Sequence, residues 1–389
     1  NNFTSQVDSA VEANDYASLA SIFAPNSISS LGQGEQRALA GHFIKAAVSS
    51  SSFLPKAFAS SEVMHVMALA LGNLPNVVED AADNQLRQML FDYKVNKEED
   101  YAGAARILGG MRMEDVVGSP YYKTRADMCD VYVKIAECFL EEDETVEADG
   151  AVTKAGTVVE SISKPEEHMP LILRYKSTYA RVLDANRKFL QAAARYHDLS
   201  QSATDIIDAD DLLNMLGRAS TCAILAPSGN QRQRIMGAVT KDPRLPQLDS
   251  IPSFETHATI MRKMYTNQII RKEEMVKFEQ SLAPHQKALM GDGLTIMERA
   301  VIEHNMVGVS KLYMSIYMTD LGKILGVGAH KAEKVAANMI MDGSLNGSID
   351  QVDGLLQFAV EDTPQAIWDK SITSFCVELN RVTETIAVE

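Results

Sequence analysis

Along the last quarter of this chain the spacing of apolar side chains changes from helical to strand-like and back, setting out a series of short elements. Residues 294–314 read as one helix with Val301, Ile302, Met306, Val309, Leu312 and Tyr313 at its apolar positions, and residues 315–317 as a short strand. Thr319 is placed to cap a brief helix carrying Leu321, Ile324 and Leu325 that stops at Gly326. Beyond Gly328, the residues Ala332, Val335, Ala336, Met339 and Ile340 recur at the i, i+3, i+4, i+7, i+8 spacing of a helix face, which Asp342-Gly343 ends. Residues 345–350 and 355–358 then flank Asp353-Gly354, a dipeptide that tolerates positive φ and marks a hairpin. This order of elements predicts a winged helix.

The helical spacing then returns in a regular heptad. Trp368, Ile372, Phe375, Leu379, Val382 and Ile386 follow one another in steps of 4, 3, 4, 3 and 4, which puts all six on one seam. Thr363 suits the cap and Pro364 the first helical position. Few charges flank the seam, and Cys376 and Val377 widen its apolar surface, so the pattern predicts a bundle helix rather than a self-sufficient zipper. Two readings stay open: the helix folds onto its own domain, or it bundles with other chains. The second is favoured because the seam lies at the chain end.

Upstream, the pattern is helix after helix. A helix opening at Ser119-Pro120 is expected to present Met128, Val131, Tyr132, Ile135 and Phe139, and to end in the acidic run 141–149. Residues 171–183 repeat the theme with Ile172, Tyr175, Tyr179 and Val182, and residues 189–199 follow after a turn. Ala136, Ala180, Ala192, Ala193 and Ala194 sit where such helices would cross closely. Antiparallel helix pairs stacked into a solenoid are the natural outcome, with breaks at 24–34, 226–230 and 242–253. The predicted architecture is thus an all-α helical-repeat (TPR-like) solenoid, then a winged-helix subdomain and a C-terminal bundle helix. Its parts are an N-terminal arm at 1–200, a second helical part at 201–293, the winged helix at 294–360 and the last helix at 361–389.

A winged helix commonly reads nucleic acid, so its charge is decisive. Residues 294–360 hold five Lys/Arg against seven Asp/Glu, and Asp350 and Asp353 sit on the wing that a phosphate backbone would meet. Nucleic-acid binding is not expected. Protein contact is, with the hairpin edge at Leu345, Gly347, Ile349, Leu356 and Phe358 as the candidate surface. The chain of 389 residues is 46% hydrophobic without any run approaching a membrane span, and its net charge of −15 argues against an anionic membrane while leaving basic protein partners open. Cys129, Cys138, Cys222 and Cys376 are scattered and lack zinc spacing, which predicts reduced thiols in the cytosol or nucleus. Neither a signal peptide nor an initiator Met opens the chain, so residues are expected to be missing ahead of Asn1.

The motifs of catalysis are not found: no His-Glu-x-x-His helix, phosphate-cradling glycine loop, nucleophile elbow, Rossmann glycines or His-x-His pair. Glu303-His304 comes nearest to a catalytic pair, but helix neighbours point about 100° apart, so structural hydrogen bonding is the better account. His285 reads as a turn residue, and the acidic run 141–149 lacks the glycine and alternation of a calcium loop. No catalytic residue, metal ligand or cofactor is expected.

Several segments carry a resemblance: Asp130-Val-Tyr-Val-Lys-Ile-Ala136, Tyr179-Ala-Arg-Val-Leu-Asp184, Arg187-Lys-Phe189, Thr221-Cys-Ala-Ile-Leu-Ala226 and Gln231-Arg-Gln-Arg-Ile235. Pro284-His-Gln-Lys287, Glu298-Arg-Ala-Val-Ile-Glu-His-Asn305, Lys331-Ala-Glu-Lys334 and Gly347-Ser-Ile-Asp-Gln-Val-Asp-Gly354 continue it. Covering roughly 120–360, they make the chain resemble the PCI-domain family of scaffolding subunits in the proteasome lid, the COP9 signalosome and translation initiation factor 3, with the signalosome branch nearest and the proteasome lid the alternative. Pro227, Pro243 and Pro246 depart from that family's helical pattern. The resemblance implies a non-catalytic subunit of the complex that removes NEDD8 from cullin–RING ubiquitin ligases. It further implies PCI- and MPN-type partner subunits, a zinc isopeptidase site in an MPN subunit, winged-helix edges joined in an arc, C-terminal helices in a shared bundle, and an N-terminal arm that contacts the ligase.

Overall fold

The computed structural model describes residues 2–24, 32–50, 81–119, 121–202, 207–291, 293–359 and 364–388, in two compact units that meet at Ala219 and Ser220.

The described elements of the first unit are helices, with one isolated bridge between Glu114 and Tyr122 in the link before the sixth of them. Its helices are α1 (Asn2–Ala13), α2 (Tyr16–Ile22), α3 (Gln33–Ser49), α4 (Ala81–Tyr93), α5 (Tyr101–Gly109), α6 (Arg125–Glu141), α7 (Thr145–Val159), α8 (Met169–Ala185) and α9 (Phe189–Ser200), and α10 (Ala209–Leu225) runs on into the second. α6 does not begin at Ser119. Thr124 caps it, its hydroxyl accepting from the Asp127 N–H at 3.1 Å while the Asp127 carboxylate accepts from the Thr124 N–H at 3.3 Å. The acidic run does not simply end that helix either, because Glu142, Asp143 and Glu144 form a tight link and α7 starts at once.

Side-chain pairs fix the stacking of these helices. Arg174 of α8 bonds Asp130 and Glu137 of α6, and Arg181 bonds Glu141, so positions advance together and α6 and α8 run parallel. Between α7 and α8 the order reverses: Tyr175 lies over Gly156, and Lys188, just past α8, reaches Asp149. Parallel next-nearest helices with an antiparallel one between are the geometry of stacked helical hairpins. The core holds Phe91, Leu108, Val131, Ile135, Phe139, Val152 and Val182. Ala136, Ala180, Ala192 and Ala193 are buried as expected at close crossings, whereas Ala194 is only half-buried.

The second unit continues with α11 (Asn230–Thr240), α12 (His257–Tyr265) and α13 (Lys272–Ser281), separated by a Pro-rich link whose residues Leu245–Ser250 form a 3-10 helix. The buried Arg232 ties α11 to the end of α10, donating from Nε to the Ala223 carbonyl at 3.1 Å and from a terminal nitrogen to the Ile224 carbonyl at 2.8 Å. Carbonyls at a helix C-terminus lack intrahelical donors, so this guanidinium completes the helix. His257 bonds the Thr221 hydroxyl at 2.9 Å and packs between the rings of Phe254 and Phe278.

The winged helix is α14 (Ile296–Ser310), β1 (Ser315–Tyr317), α15 (Met318–Leu325), α16 (Ala329–Met341), β2 (Gly347–Asp350) and β3 (Leu355–Phe358). Thr295 and Glu298 close a capping box at the start of α14. That helix ends at Ser310, so Leu312 and Tyr313 lie outside it, 71% and 45% exposed, instead of on its apolar face. Tyr317 rather than Thr319 occupies the cap position of α15. The antiparallel sheet has the order β1-β3-β2, and Gly354, at φ +62°, makes the turn between β2 and β3. Its helices and strands enclose Met306, Val309, Ile316, Leu321, Val335, Met339, Leu345, Leu356 and Phe358. A final helix, α17 (Pro364–Val388), follows; Thr363, its expected cap, falls outside the described residues.

Candidate assembly surfaces

α17 exposes the face that its heptad creates. Trp368 is 71% exposed, Ile372 45%, Phe375 66%, Leu379 48% and Val382 54%, with Ile367 and Val377 also exposed beside them. Ile386 belongs to the same helix, and its side chain falls outside the described residues. Burying one large apolar side chain is worth about 1.5–3 kcal/mol, so leaving this many in water is unfavourable for an isolated molecule. A contiguous exposed apolar stripe of this kind is a candidate interaction surface. Asp369, Lys370, Glu378, Arg381 and Glu384 are the charged residues of the helix, Arg381 and Glu378 approaching to 3.9 Å.

The candidate residues of the hairpin edge divide differently. Leu345, Leu356 and Phe358 are buried in the subdomain's own core, which corrects their assignment as contact side chains. β3 is also the central strand, bonded to β1 on one side and β2 on the other, so neither Leu356 nor Phe358 can offer main-chain groups to a neighbour. Gly347 and Ile349 lie on β2, which is an edge. A Cβ on Gly347 would stand 2.5 Å from the Gln357 carbonyl oxygen, so what β2 presents there is backbone. The other edge, β1, was missed as a surface: beside it Leu312, Tyr313, Met314 and Tyr317 are exposed, and the first three border a groove of about 430 Å³ that reaches Lys311 and Asn346. Their signal was present in the sequence but was absorbed into an overlong α14.

Glu303, His304 and their neighbours are held in contacts within the fold. Glu303 pairs with Arg299 at 2.9 Å, while His304 donates from Nε2 to the Gln268 carbonyl at 2.9 Å. Next to it, Asn305 accepts from the Ile270 N–H at 2.9 Å and donates to the Ile270 carbonyl at 3.0 Å, completing both backbone groups of one residue as a strand partner would. Burial lowers the pKa of His304 to about 4, helped by the Arg232 and Lys311 charges and opposed by the Gln268 carbonyl. Burial likewise lowers His257 to about 4. His285 sits in the 3-10 turn Pro284–Lys287. Cys129, Cys138 and Cys222 are buried, burial pushing the first two thiols up to about 11, and Cys376 is exposed on α17. Among the described residues no group of three His, Cys, Asp or Glu is placed to hold a metal ion, and no helix is long and apolar enough to cross a membrane.

Comparison with known proteins meets this geometry in both units. A family model described as PCI domain matches residues 255–359, and one described as PSMD12/CSN4, N-terminal, matches residues 77–210. The chain is 38% identical over 293 residues to the COP9 signalosome complex subunit 4 of Dictyostelium discoideum, covering 75% of this chain and 70% of that one. The subunit 4 of Drosophila melanogaster is 38% identical over 293 residues (75% and 68% covered), and that of Arabidopsis thaliana 36% over 297 (75% and 71%). With helical hairpins leading into a winged helix, and relatives that match across most of both chains, this chain belongs to the COP9 signalosome complex subunit 4 family of PCI-domain proteins.

Proposed function

We propose that this chain is a non-catalytic scaffold subunit of a COP9 signalosome, the complex that removes NEDD8 from cullin–RING ubiquitin ligases. The observation that carries the reading is the uncovered heptad seam of α17, which needs other chains to bury it, in a member of a family whose relatives are named as subunits of that complex. Trp368, Ile372, Phe375, Leu379, Val382 and Ile386 pack in a bundle with C-terminal helices of other subunits. The free edges of β1 and β2 pair through main-chain groups with neighbouring PCI subunits, β2 through the stretch that contains Gly347 and Ile349. Isopeptidase chemistry belongs to a zinc site in an MPN-type partner. The helical arm, residues 1–200, contacts the cullin–RING ligase, in the cytosol and nucleus.

Affinity purification of the tagged chain and of a version ending at Glu361 tests this, with companions identified by mass spectrometry and deneddylation assayed in both eluates. A multi-subunit, isopeptidase-active complex from the full chain alone is the expected result. Recovery of proteasome lid subunits would move the assignment to that complex. A lone monomer would end the scaffold reading.

A further inference from the structure

Unit 2 carries a surface whose chemistry runs against the rest of the chain. Carboxylates outnumber Lys and Arg 52 to 37, and several cations of this unit are held by one: Arg244 by Asp242, Lys263 by Glu274, Arg299 by Glu303. Arg234, Lys241 and Arg262 are exposed and have no carboxylate within ion-pair distance among the described residues. Arg234 stands three residues before Gly237 and Lys241 four after it, so both lie along the stripe of α11 that Gly237 occupies. Tyr265 of α12 crosses there: a Cβ on Gly237 would come within 3.2 Å of its ring, and the missing side chain lets the ring rest on the α11 backbone. Arg262 sits one turn earlier on α12, and Tyr265 remains 37% exposed.

Three cations without an ion-pair partner among the described residues therefore lie on the two helices that cross at one accessible aromatic ring. Guanidinium groups take carboxylates in bidentate fashion, and a tyrosine ring offers an apolar face with a polar rim. We infer that this face docks an acidic segment of a partner protein, with Asp or Glu side chains on Arg234, Lys241 and Arg262 and one aliphatic or aromatic side chain on Tyr265. Charge complementarity selects the occupant. A nucleic acid needs a longer run of cations following its backbone, with stacking platforms for successive bases, and one ring with three cations supplies neither. None of these residues belongs to α17 or the sheet.

The test is fluorescence anisotropy with the full chain and a short fluorescein-labelled Glu-rich peptide carrying one Phe, against a Lys-rich counterpart and a labelled dT oligonucleotide. Saturable binding of the Glu-rich peptide alone, weakening as salt is raised, is expected. Arg234→Glu with Arg262→Glu should weaken it at least about tenfold, and Tyr265→Ala about threefold, as loss of close charge pairs and of one aromatic contact predicts. Should the charge reversal disturb folding by circular dichroism, Arg234→Gln with Arg262→Gln takes its place. Absence of peptide binding, binding indifferent to these substitutions, or tighter binding of the oligonucleotide through the same residues would each overturn the inference.

Discussion

Leu321, Met339 and Leu356 of the winged helix are at most 2% exposed, whereas Trp368, Phe375 and Leu379 of α17 are 71%, 66% and 48% exposed. Both sets follow a clean apolar periodicity, so the periodicity does not decide the outcome. Chain punctuation does. In the winged helix, eight-residue α15 and the turns at Gly326 and Gly354 fold each apolar face back on the last. α17 runs for 25 residues without a break, and a rod of about 38 Å cannot cover its own seam. An apolar stripe on short, interrupted elements makes a core, and the same stripe on a long uninterrupted one is left exposed.

The sharpest way to break this contrast is to place a charge in each region. Leu321→Asp puts an unpaired carboxylate in the winged-helix core and should remove more than about 4 kcal/mol of stability, read by urea unfolding. Retention of native stability there would mean that the core is not the unit's foundation.

Acid should act on buried groups of the second unit, within the winged helix and ahead of it. In the unfolded chain His257 and His304 take up protons near the ordinary value of 6.5, while in the folded chain burial holds them near 4. Stability is therefore complete above the unfolded value and is lost as pH falls from there toward 4. At about pH 5 each histidine should remove about 2 kcal/mol, and His257→Phe should flatten its share of the slope. Asn305→Ala leaves two backbone groups of Ile270 without partners and should remove about 2–3 kcal/mol, with amide exchange quickened at Ile270. Phe375→Asp with Leu379→Asp should change the stability of the isolated chain by less than about 0.5 kcal/mol, yet abolish co-purification of companion subunits. A clear loss of melting temperature in that double variant would put the seam in an intramolecular core.

Much of the fold was legible because local signals agreed with tertiary ones. Gly328, Asp342-Gly343 and Asp353-Gly354 stand where α16 begins, where it ends and where the hairpin turns. Failures came where a local pattern met competing three-dimensional demands. Leu312 and Tyr313 continue the helical spacing of α14, but the chain must leave that helix to reach β1, and the apolar pair is left on the surface. Alternation in the hairpin could be read, but not which strand would be central; the order β1-β3-β2 is a long-range choice, and it turns Leu356 and Phe358 from edge into core. The face around Tyr265 was invisible in one dimension, because Gly237 and Tyr265 meet only when α11 and α12 cross.

The distribution of thiols has a practical consequence. Three of the four cysteines are enclosed, two of them with their ionisation suppressed, and Cys376 alone is accessible, within α17 itself. A maleimide dye added to the native chain should thus label the last helix selectively, without engineered residues, and shielding of that label would report any burial of the helix by another chain.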